Sequence, residues 1–186
     1  MGFKKCLLLA SMLFCLGLVL GLLTPLWVQG LLEETLGELF EEFGDISALP
    51  DHSFAVLVFT NNIRVVLTGF VFAPFLCLLP VLSLVLNGWL VSVVSIMAIP
   101  ETSLGYIVAG LLPHGIIEIP AVILAQAAAI NFGVTVISAL FRPEKRPLLL
   151  PSLKQNARYV GIACSLLLPA ALIETYVTPL LMALYK

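Results

Sequence analysis

The sequence predicts an all-α, polytopic membrane helix bundle. It has about five spans, a re-entrant or broken half-helix and an extracytoplasmic amphipathic helix. Three observations lead there. The chain is 61% hydrophobic and only 11% charged, against about 25% charged in an average soluble domain. Four regions, 6–28, 53–100, 103–141 and 159–185, run apolar for the length that crosses a bilayer, or nearly so. Nothing alternates with the two-residue period of a barrel strand.

A chain of 186 residues suits one membrane domain, 1–186. With a net charge of −2 and no basic patch on a soluble surface, nucleic acid is not expected as a partner. Cys6, Cys15, Cys77 and Cys164 all fall in apolar segments. Neither a disulfide nor a metal-type cysteine spacing is therefore expected.

The first element is "MGFKKCLLLASMLFCLGLVLGLLTP". Its basic start and apolar run resemble a signal peptide. It lacks a small-residue cleavage site, however, and its apolar run is longer than an h-region. A retained first span is expected, from Cys6 to Leu26. "LLEETLGELFEEFGDI" follows, with Leu32, Leu36, Leu39, Phe43 and Ile46 on one face and acids on the other. That spacing predicts an amphipathic helix over 31–46. Its acidic face would be repelled by anionic lipid, so it is expected outside, as a solvated cap or packed on the bundle or a second protomer.

Residues 53–100 would extend about 70 Å as helix, enough for two crossings of a ~30 Å core. Pro74 and Pro80 bracket "FLCLL" and mark the bend. Residues 103–141 would extend about 58 Å, too long for one span and short for two. The favoured reading is a half-helix over Ser103–Leu112 that dips into the membrane and ends at Pro113. Gly115 then helps the chain turn, and a full span begins near His114. One long kinked helix is the alternative. Residues 142–158 form a basic loop, and a fifth span runs from Tyr159 to about Leu184.

Charge sets the expected orientation. Lys4, Lys5, Arg142, Lys145, Arg146, Lys154 and Arg158 are seven of the nine basic residues and mark cytoplasmic segments. Five spans then place the chain in the cell membrane with the N-terminus cytoplasmic and the C-terminus extracytoplasmic.

The chemistry lies where polar groups interrupt the spans. "GLLPHGIIEIPA" puts His114 and Glu118 on one helical face, between Pro113 and Pro120. Ala121, Ala125, Ala128 and Ala129 continue it as a small-residue seam, of the kind that lets helices approach closely in lipid. Asn61, Asn62 and Arg64 lie in the second span, Asn87 in the third, Glu174 and Thr178 in the fifth. Ionisable groups at such depth face the interior with a partner. By depth alone Arg64, His114, Glu118 and Glu174 could form one cluster, with Arg64 paired to Glu118 or Glu174.

"LLPHGIIEIPAVILAQAAAI" resembles the signature of the stage II sporulation protein M family of integral membrane proteins. "FTNNIRVVLTG", "LVLNGWLVSV" and "PAALIETYVTP" are similar to further parts of that family. The positions that carry the resemblance are Asn61, Asn62, Asn87, Gly88, Pro113, His114, Gly115, Glu118, Pro120, Glu174, Thr178 and Pro179. The namesake works with peptidoglycan-degrading partners during engulfment. The resemblance implies a membrane fold and a polar site, not a reaction.

Two function classes follow. One is a non-enzymatic scaffold or assembly protein whose polar cluster locks the bundle. The other is a transporter-like protein moving a proton, cation or lipid through His114, Glu118 and Glu174. Those three have ligand chemistry suited to a divalent cation, although no resident cofactor is expected. No zinc-protease, paired-aspartate or serine–histidine pattern is present, so an enzyme is not expected. The expected partners are membrane lipids and either a second copy or other membrane proteins.

Overall fold

In the described part of the chain, every long apolar run folds as helix. A backbone removed from water must satisfy its own polar groups, and a helix does so within one segment. The computed structural model describes residues 2–28, 30–32, 34, 51–99 and 102–185. The acidic helix expected over 31–46 falls mostly outside them.

The elements are α1 (Phe3–Leu22), α2 (Asp51–Phe72), α3 (Leu78–Ala98), α4 (Leu104–Phe141) and α5 (Leu149–Leu172). A short 3-10 turn (Pro143–Leu148) joins α4 to α5. α5 continues through a π-helical turn (Ile173–Val177) into α6 (Thr178–Ala183). Counting Pro143–Ala183 as one, five helices are long and apolar enough to cross a membrane. The predicted bend between the second and third spans is present. Leu76 and Cys77 turn it with positive φ, 56° and 55°, a conformation that non-glycine residues adopt only at a cost.

Two expectations are corrected. The half-helix ended by Pro113 does not form, and α4 runs unbroken through both Pro113 and Pro120. Each proline removes one N–H donor from the ladder, and a packed bundle can absorb that loss. A break would unpair far more backbone. Gly115 is accordingly buried inside the helix and makes no turn. The basic segment 142–158 also shrinks, since α5 begins at Leu149. Lys154 and Arg158 therefore lie on a helix.

α4 and α5–α6 form one antiparallel hairpin, in constant register from end to end. Near its loop the Ser152 hydroxyl donates to Thr135 Oγ1 at 3.3 Å and the Asn156 amide to Asn131 Oδ1 at 3.1 Å. At the far end the Ser103 hydroxyl donates to the Tyr185 carbonyl at 3.4 Å. The hairpin is longer than a bilayer core, at about 57 Å for α4. α1 and α3 lie parallel, as two crossings in the same direction must. Gly17 meets the Val85 carbonyl and Gly88 meets the Phe14 carbonyl, so close that a Cβ at either position would overlap backbone. The Trp89 indole N–H donates to Thr24 Oγ1 at 2.8 Å.

The alanine seam is fully buried at Ala121, Ala125, Ala128 and Ala129. It packs with Val66 of α2 and with Val160, Ala163 and Leu167 of α5. A second core joins Cys6, Ala10 and Phe14 of α1 to Leu84 of α3 and Ala127 and Ile130 of α4.

Candidate functional site

The polar groups of α2, α4 and the end of α5 meet above the alanine seam. His114 and Glu118 are one turn apart on α4. Glu174 approaches from the π-helical turn, where the Thr178 N–H donates to the Ile173 carbonyl. Pro179 has no N–H to offer the Thr175 carbonyl, and the wide turn directly precedes it. π-turns inside α-helices recur at functional positions. The Thr175 hydroxyl donates back to the Ala171 carbonyl at 2.9 Å.

His114 Nδ1 and Glu174 Oε2 make an ion pair when the imidazole is protonated. Their side chains are only 15% and 27% exposed, so the pair is largely withdrawn from its surroundings. The Asn62 side chain of α2 lies beside the Glu118 carboxylate. Glu118 also feels the charges of His114 and Glu174. Three helical elements are thus tied by two contacts, His114–Glu174 and Asn62–Glu118. Thr178 lies one turn past Glu174, and its buried Oγ1 has no hydrogen-bond partner.

The structure divides the residues that sequence depth had grouped. It brings together Asn62, His114, Glu118 and Glu174, with Thr178 beside them. It places Asn61, Arg64 and Asn87 elsewhere, in a groove between α2 and α3. The expected pairing of Arg64 with Glu118 or Glu174 is corrected accordingly. Asn62 and Arg64 are two residues apart, and residues at that spacing point to different sides of a helix. Once Asn62 faces Glu118, Arg64 cannot. The divalent-cation ligand set His114, Glu118 and Glu174 draws no support from the geometry. Among the described residues, no three His, Cys, Asp or Glu side chains are grouped to hold a metal ion.

Sequence reasoning missed Gln126. It is 0% exposed and pins three helices. Its amide donates to the Val65 carbonyl of α2 at 3.3 Å and to Ser83 Oγ of α3 at 3.2 Å. Its Oε1 has no hydrogen-bond partner. The signal was a lone amide inside "AVILAQAAAI", overlooked beside the alanines. Asn156, also 0% exposed, was missed with its partners Asn131 and Ser152 near the loop.

The model of the family described as Stage II sporulation protein M matches residues 9–179. An uncharacterized protein of Methanocaldococcus jannaschii is 26% identical over 175 residues, covering 93% of each chain. No solved structure matches the chain significantly. The family match reaches all five long helices and includes every residue of the polar cluster, and the chain belongs to the stage II sporulation protein M family.

Proposed function

We propose that this protein is a non-enzymatic membrane assembly protein, whose buried polar cluster locks the bundle that other membrane components pack against. The observation that carries this reading is the largely buried contact of His114 with Glu174 across the hairpin. His114 is engaged by Glu174, which ties α4 to the end of α5, and Asn62 of α2 lies beside Glu118. Breaking such a buried pair leaves an uncompensated group and is strongly destabilising. The flanks of the same bundle are apolar, with Leu8, Val56, Leu86 and Ile116 among the exposed side chains.

A second reading is supported by the π-turn that carries Glu174 and by the unpartnered Thr178 hydroxyl. In that reading His114, Glu118 and Glu174 pass a proton or cation along the face of α4. One measurement separates the two. The purified protein is reconstituted in vesicles with a trapped pH dye under an imposed potential. Assembly predicts a proton leak equal to that of protein-free vesicles, unchanged in Glu118→Gln. A faster leak that disappears in both Glu118→Gln and Glu174→Gln would establish transport instead.

A further inference from the structure

Among the described residues, Arg64 has no counterpart inside the bundle. It is exposed on α2, and among the described residues no carboxylate pairs with it. Its backbone lies about 12 Å from the Phe72 end of a helix about 33 Å long, which places it within the hydrocarbon region. Charged groups at such depth are costly and normally paired.

The surroundings form a built site. Asn61, Arg64 and Thr68 share one face of α2, spaced three and four apart, and Ser83 and Asn87 share one face of α3. Between them is a groove of about 430 Å³. Behind the lining is Gln126, bonded to Val65 and Ser83, both of which line the groove. The buried Oε1 of Gln126 has no partner. It abuts Gly69 of the groove so closely that a Cβ there would overlap it.

We propose that this groove docks another protein's membrane helix that carries a carboxylate near the middle of its span. This rests on the assembly reading and names the chemistry of the partner. A guanidinium matches a carboxylate in two parallel hydrogen bonds. Gly69, Thr68 and Ser83 are small, so a helix can come close enough to make them. A second copy of this chain fits poorly. Its described membrane-depth carboxylates, Glu118 and Glu174, lie within their own cluster, and a two-fold contact centred on the groove would set Arg64 against Arg64. An anionic lipid headgroup fits poorly as well. Helical side chains lean toward their own N-terminus, so the Arg64 stem leans away from the nearer membrane edge and toward Asn61.

The test uses the full chain in phosphatidylcholine nanodiscs, with fluorescence transfer to synthetic leucine–alanine helices of about 23 residues, long enough to span a bilayer. One helix carries a central Asp and the other a central Leu. The Asp helix should bind at least about tenfold more tightly, a difference of about 1.4 kcal/mol. Arg64→Gln should remove the preference and Arg64→Lys should keep part of it. Thr68→Phe should block binding with Arg64 intact, which guards against misfolding of the Arg64 variants. Equal binding of the two helices overturns the proposal, as does a preference that survives Arg64→Gln. Loss of the Asp preference in nanodiscs containing phosphatidylglycerol would assign the groove to lipid and also overturn it. A proton leak through the His114–Glu118–Glu174 cluster would overturn the assembly reading alone, because it does not involve Arg64.

Discussion

At the scale of residues, the decisive fact is which side chains share a face, and this can be measured. His114→Ala and Glu174→Ala should each lower the melting temperature of the detergent-solubilised protein, since each strands a largely buried partner. The double variant should cost less than the sum, with a coupling of about 0.5–3 kcal/mol. Arg64→Gln combined with Glu118→Gln should be additive to within about 0.5 kcal/mol. The first pair is in contact, and in the second Arg64 is on the face of α2 turned away from Glu118. Additive losses at His114 and Glu174, or strong coupling between Arg64 and Glu118, would contradict the geometry. The same contrast explains how much of the site was legible. The i, i+4 spacing of His114 and Glu118 and the depth of Glu174 identified three members of the cluster. Depth could not place Arg64, because height along a helix says nothing about azimuth. Nor could it say which of two adjacent asparagines would turn inward, and here Asn62 reaches Glu118 while Asn61 lines the groove.

At the scale of elements, the sequence resolved the spans better than their ends. Four apolar regions with a proline-marked bend were enough to count five spans, because hydropathy and length are local properties. Residues 103–141 misled because Pro113 and Pro120 were read as breaks. In lipid the cost of ending a helix exceeds the cost of one missing donor, and α4 stays whole. The paired helices α1 and α3 carry a clearer lesson. Gly17, Gly21 and Gly88 let two backbones touch, the small-residue logic of membrane helices. Gly88→Val should push α1 off α3, because its Cβ would overlap the Phe14 carbonyl. Overpacking of this kind costs about 1–3 kcal/mol. Gly161→Ala is the control, since a Cβ there meets nothing within 4 Å. A Gly88→Val protein that melts with wild type would show that the two helices can separate without penalty.

At the scale of the whole molecule, the hairpin of α4 and α5 sets how the bundle sits in the membrane. α1 starts alongside it about a quarter of its length from the loop. The Asn131 amide donates to Cys6 Sγ at 3.4 Å, and Phe3 stacks on Tyr159 with ring centroids 4.1 Å apart. Beyond Asn131, α4 continues for about 15 Å before the turn at Pro143–Leu148. Arg142, Lys145, Arg146 and Lys154 belong to this overhanging end, with Arg158, Lys4 and Lys5 at its base. The opposite end carries neither lysine nor arginine on α4 or α6. Loops rich in Lys and Arg stay in the cytoplasm, so the overhang should project there and the α6 end should face outward. Single cysteines in a Cys-free background test this in intact cells with an impermeant maleimide. Lys145→Cys should label only after permeabilisation, and Leu184→Cys, 76% exposed in the wild type, should label from outside. Labelling of position 145 in sealed cells would invert the bundle and turn its basic end away from the cytoplasm.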